Sequence, residues 1–198
     1  MEESKYHSLF RDLSKKPVFS ALDARKAGIP SRMLAYFCFK EVIVRIDRGI
    51  YKVKDWNLDV DFEWEDLVTT AMSISNGVIC LISALCYYNL TDQIMREFWF
   101  AVPHASTAPK RSNARIVRMR NITLGQTVIC IGGQELKIFD RERTVVDAFR
   151  YLDQEIAIKA LKAYLQTTAE SKPDVKKLMK YAKALRVNIT PYIMALTT

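Results

Sequence analysis

Along residues 18–53 the spacing of apolar positions changes from a helical period to a strand period, which predicts helix, turn, helix and hairpin in that order. Ser20 can cap a short helix over 21–27, with Asp23 three residues on to complete a capping box. Gly28 supplies a left-handed exit, and Pro30 followed by Ser31 opens a second helix. On that helix Leu34, Phe37 and Cys38 share one face at i, i+3 and i+4, so they are expected to point inward. Arg32, Tyr36 and Lys40 line the opposite face. Val42, Val44 and Ile46 then alternate with Ile43 and Arg45 as a strand, Asp47-Arg48-Gly49 turns the chain, and 50–54 returns. Upstream, Tyr6, Leu9, Phe10 and Leu13 form the apolar stripe of a first helix. The whole predicts a winged helix-turn-helix over residues 1–54. An outward helix face of basic and aromatic side chains beside a basic wing suits the major groove and flanking phosphates of DNA. Small helix-hairpin units also dock proteins, and that reading stands beside the first.

Beyond residue 61 the pattern is mixed. Helical spacing covers 64–75, and 78–88 reads as an apolar helix or a short strand running into one. Strands are expected at 97–102, 115–120, 127–131 and 135–139, the last two joined by a Gly132-Gly133 hairpin turn. Helices follow at 143–151, 154–166 and 174–185. Ile158, Leu161 and Leu165 are expected to face inward on the second of these, and Val175, Leu178, Ala182 and Leu185 on the third. The predicted fold class is therefore α+β, a winged helix-turn-helix followed by a larger domain, 61–198, of antiparallel sheet and helices.

Charge sharpens this division. The 198 residues carry a net charge of +8. By segment, 1–54 holds 12 basic and 6 acidic residues, 55–107 holds 1 and 8, and 108–198 holds 17 and 8. Segregated charge of this kind points to distinct surfaces, and a linker is expected at 55–61. No apolar run is long enough for a membrane helix, so no membrane partner is expected. Cys38, Cys80, Cys86 and Cys130 lie apart among apolar neighbours, as reduced thiols of a cytoplasmic protein would.

Candidate chemistry is thin. Lys110, Arg111, Arg115, Arg118 and Arg120 fall in a stretch, 98–134, that holds no acid, a composition suited to phosphates or a protein partner. An edge strand protected by positive charge has the same composition. Lys176, Lys177, Lys180 and Lys183 read as a solvated helix face. Glu135-Leu136-Lys137 matches the E-x-K of metal-dependent nucleases but has no nearby second carboxylate to bind magnesium. His7 and His104 have no metal-ligand spacing around them. There is no phosphate-cradling glycine loop and no nucleophile elbow, so no metal, cofactor or catalytic residue is expected and the chain is not read as an enzyme.

The winged unit, the segment GVICLISALCYYNLTDQIMREFWFAVP at 77–103 and FDRERTVVDAFRY at 139–151 together resemble the AbiEi-type antitoxins of bacterial type IV toxin–antitoxin systems. The shared features run in order through nearly the whole chain, including Ser83-Ala84-Leu85, Leu90-Thr91, the Asp140 to Thr144 turn into a helix and the alanine-bearing 158–161. The resemblance implies a DNA-binding antitoxin that represses its own promoter by binding repeats in double-stranded DNA. Its second domain would counter a nucleotidyltransferase toxin without holding it in a stable complex. By position, the DNA contacts would be Ser31, Arg32 and Tyr36 on the recognition helix, with Arg45, Arg48 and Lys52 on the wing. The family's glycine after the recognition helix is replaced here by Lys40-Glu41, where a non-glycine residue can still turn, at modest cost if the turn is left-handed. The competing reading is a solitary winged-helix regulator whose second domain senses a ligand or partner.

Overall fold

The computed structural model describes residues 2–54, 56, 62–108, 110–167 and 172–197. The expected linker at 55–61 lies outside the described residues apart from Trp56. The chain divides into two compact units, Met1–Ser75 with Ile131–Gln134, and Asn76–Cys130 with Glu135–Thr198.

The first unit runs α1 (Glu2–Leu13), β1 (Val18–Ser20), α2 (Ala21–Lys26), α3 (Ser31–Phe39), β2 (Ile43–Asp47), β3 (Ile50–Val53) and α4 (Phe62–Met72). Its strands form an antiparallel sheet in the order β1-β3-β2. Phe10, Leu13, Phe19, Ala24, Ile29, Leu34, Phe37 and Ile43 make its core. The predicted stripes on α1 and α3 thus point inward, with Cys38 only half-buried. On β2 it is Ile43 that is buried, while Val42, Val44 and Ile46 are exposed. α4 belongs to this unit and packs beside β1, past the boundary expected at residue 54.

The second unit contains β4 (Val78–Ile79), α5 (Leu81–Tyr87), β5 (Phe98–Pro103), β6 (Ala114–Met119), β7 (Gln126–Ile131), β8 (Gln134–Phe139), α6 (Arg141–Tyr151), α7 (Gln154–Leu165), α8 (Val175–Leu185) and α9 (Thr190–Thr197). Its five strands are ordered β6-β5-β4-β8-β7. The expectation of an antiparallel sheet is corrected here, because β4 runs parallel to β8 and β5 parallel to β6. The sheet is mixed for a physical reason. α5 and the loop after it return the chain antiparallel to β4 as β5, whereas the long connection from β5 to β6 allows a parallel neighbour. Gly132 and Gly133 both have positive φ, as a two-residue hairpin turn between β7 and β8 requires.

α6 is the central helix, packed against α5, α7 and α8. Ala157, Ala160, Leu161 and Tyr164 are the buried residues of α7, so its inward face is rotated from the expected Ile158 and Leu165. On α8 Leu178, Tyr181 and Ala182 are buried, and the expected inward Val175 is exposed.

Candidate nucleic-acid interface

The helix pair of the first unit is fixed at its corners by local chemistry. The Ser20 hydroxyl caps α2 by accepting from the Asp23 amide, and the Asp23 carboxylate accepts from the Ser20 amide, which completes the box. Burial acts to raise the Asp23 carboxyl, but these bonds outweigh it and hold it below its ordinary value. Gly28, at φ 83°, turns the chain, and α3 begins after Pro30 without a side-chain cap.

Because Leu34 and Phe37 are buried, α3 presents Ser31, Arg32, Ala35, Phe39 and Lys40 to solvent. Tyr36 is half-buried, with the Lys40 ammonium 5.8 Å from its ring centroid. Arg32 is exposed. The β2–β3 turn is tied to α2 by the Ala21 amide, which donates to the Gly49 carbonyl at 2.8 Å. That anchor leaves Arg48 exposed at the tip, with Arg45 donating from Nε to the Asp47 carbonyl at 3.2 Å. The turn after α3 is made by Glu41 at φ 55°, ion-paired to Lys54.

Ser31, Arg32, Tyr36 and Lys40 are therefore carried on α3 and its end, Arg45 on β2 and Arg48 on the β2–β3 turn. Lys52 departs from this set. It pairs with Glu65 of α4 and is half-buried, opposite Val18 and Val44 in the sheet. Strand alternation explains the difference, since Lys52 sits on the face of β3 that Tyr51, stacked on Phe19, does not use.

In the second unit the run from Lys110 to Arg120 is divided rather than gathered. Arg115 stacks 4.3 Å over Trp99 and bonds Glu97 at 3.1 Å, so an acid just outside the acid-free stretch neutralises it. Two-residue periodicity places Arg118 on the opposite face of β6 from Arg115, and Arg120 lies past the strand end. Lys110, Arg118 and Arg120 are exposed, and Arg111 is half-buried.

Sequence reading missed the most ordered charges in this unit. Arg143 is fully buried: its Nε donates to Asp147 at 2.7 Å, and one terminal nitrogen donates to the carbonyls of Asn121 and Leu124 at 3.0 and 2.7 Å. Asp147, also fully buried, accepts from Arg150 as well. Asp140 caps α6 through the Arg143 amide and receives Tyr181 and Lys177 on its other oxygen. Glu142 accepts from Tyr164 at 2.8 Å and from Lys177 at 2.9 Å. Lys177 is accordingly a bridge between α8 and α6, not part of a solvated lysine face, which Lys176, Lys180 and Lys183 keep. No buried side-chain polar atom among the described residues lacks a partner, so this is a satisfied structural network.

Other chemistry does not converge. Glu135 and Lys137 are exposed on β8, and no three His, Cys, Asp or Glu side chains among the described residues gather to hold a metal ion. His7 lies edge-on to Phe37, and His104 is in the exposed turn after β5. Burial pushes the Cys80 thiol well up, with Asp147 adding to it, so it is not an activated nucleophile. No helix among the described residues is long and apolar enough to cross a membrane. No protein-family model matches the chain, and no curated protein matches it.

Proposed function

We propose that this chain is a sequence-specific, winged helix-turn-helix DNA-binding protein that represses its own promoter and serves as the antitoxin of a type IV toxin–antitoxin pair. The observation that supports the DNA half is the outer face of α3. There Arg32 and Lys40 are exposed with half-buried Tyr36 between them, beside β2, which carries Arg45, and the β2–β3 turn, which carries Arg48. Such a face reads base edges, and the flanking cations neutralise phosphates. The antitoxin half is supported by the resemblance over residues 77–103 and 139–151.

The test is a mobility-shift titration of the full chain on the DNA upstream of its own gene, with scrambled competitor, at two salt concentrations. Competitor-resistant shifts are expected. Arg32→Ala should weaken binding and relax base preference, and Arg48→Ala should weaken all duplexes about equally. Lys52→Ala should leave affinity within about twofold, because its charge is committed to Glu65. Binding that competitor removes completely would overturn the DNA half. Growth rescue on co-expression with a neighbouring nucleotidyltransferase gene tests the antitoxin half.

A further inference from the structure

Phe39 is the least explained side chain on α3. It is 81% exposed, although every other large apolar residue of that helix is buried or half-buried. With Ala35 one turn before it, Phe39 makes a small apolar strip at i, i+4, and Arg32 precedes Ala35 by three residues on the same side. Cations flank the strip on the helix itself: Arg32, three residues before Ala35, and Lys40, next to Phe39, both exposed. Neither Ala35 nor Phe39 is needed for the core, and an aromatic ring left in water is a cost without a return in the isolated unit.

An apolar strip flanked by positive charge fits a polyanion that carries apolar groups in the groove between its phosphates. Duplex DNA has such a group, the 5-methyl of thymine, which projects into the major groove and is read by Ala and Phe side chains. RNA lacks it, and the narrow major groove of an A-form helix does not admit a helix.

Resting on the DNA-binding reading above, we propose that Phe39, with Ala35, determines sequence preference by packing against thymine methyl groups. Operators of this protein would then contain thymines at fixed positions opposite the C-terminal half of α3.

The experiment starts from a duplex selected by the full chain from a random library. Each thymine in it is replaced singly by deoxyuridine, which removes only the methyl group, and affinity is read by fluorescence anisotropy. At one or two positions uracil should weaken binding by about fourfold, the factor expected from leaving one methyl group in water. In Phe39→Ser the thymine and uracil duplexes should bind equally at those positions, with the circular dichroism spectrum unchanged because the side chain is exposed. Selective binding that is indifferent to every thymine-to-uracil change would overturn the proposal. So would a uracil penalty that persists in Phe39→Ser. If the chain selects no duplex at all, the DNA-binding reading fails and this proposal with it.

Discussion

Glu41 occupies the left-handed region at φ 55°, between α3 and β2. An L-side chain is strained there, and the ion pair with Lys54 is too exposed to offset much of that strain. Glu41→Gly should therefore raise the melting temperature by a few degrees, measured by circular dichroism. Gly125 is the opposite case. Its φ is 72°, and an added Cβ would stand 2.6 Å from the Arg143 Cβ and 3.1 Å from an Asp140 oxygen. Its carbonyl also accepts from the Asp140 amide at 2.7 Å. Gly125→Ala should destabilise the second unit by about 3 kcal/mol in urea unfolding, overpacking and positive-φ strain acting together. Some of this scale was legible: the Ser20–Asp23 box and the inward Leu34 and Phe37 followed from spacing alone. Arg143 and Asp147 were not legible. A charged residue on a helix reads as solvated, and what permits its burial here is a pair of carbonyls about twenty positions upstream, which no local pattern reveals. Phe39 escaped because the row at 32, 36 and 40 already accounted for the outer face.

Elements of regular period were found within a residue or two, α4 ending three residues early, and the elements that were missed share a cause. β1 spans three residues, too few to show alternation, and exists because β3 offers it partners. α9 has apolar residues distributed around it, so no stripe marked it; it rests on α7, where Tyr192 bonds Gln154. Strand direction in the second sheet depends on pairing between distant segments and leaves no trace in any one of them. The same holds for the junction of α6, α7 and α8, which carries a testable pH dependence. Burial first, then the bonded Glu142, raises the Tyr164 phenol. Burial and Asp140 likewise raise Tyr181 and Tyr88. Burial alone would lower Lys177, but its bonds to Glu142 and Asp140 outweigh that and raise it. Since all four folded values lie above the unfolded ones, 10.0 for tyrosine and 10.5 for lysine, their contribution is complete below those values and is lost as pH rises past them. The urea midpoint of the second unit should be flat from pH 8 to about 9.5 and fall steeply above pH 10. A midpoint unchanged at pH 11 would mean that the junction contributes nothing.

At the scale of the whole chain, charge and compactness divide the molecule differently. Basic residues at 1–54 suggested a positive head, but the unit that folds together runs to Ser75 and takes in the acids of 55–66, giving 12 basic and 12 acidic residues. The net +8 therefore resides in the second unit, whose 18 basic residues face 10 acidic ones. A fragment 1–75 should be more stable than a fragment 1–54, because the shorter one leaves Lys52 without Glu65 and removes α4 from beside β1. Thermal melts of the two fragments decide that point. The longer fragment then makes the electrostatics measurable. With Arg45 on β2 and Arg48 on the turn as the flanking phosphate contacts, counterion release predicts a log–log salt slope of about −1.8 for operator binding by 1–75. Arg118, Arg120, Lys176, Lys180 and Lys183 are exposed cations of the second unit, and any that reach phosphate in the full chain each steepen that slope by about 0.9. A full-chain slope beyond about −3 is the expected result, because under the proposed function a unit with this excess of positive charge would be drawn to the same duplex. Equal slopes would instead mean that those cations do not reach phosphate, and would leave them for a partner other than DNA, such as the proposed toxin.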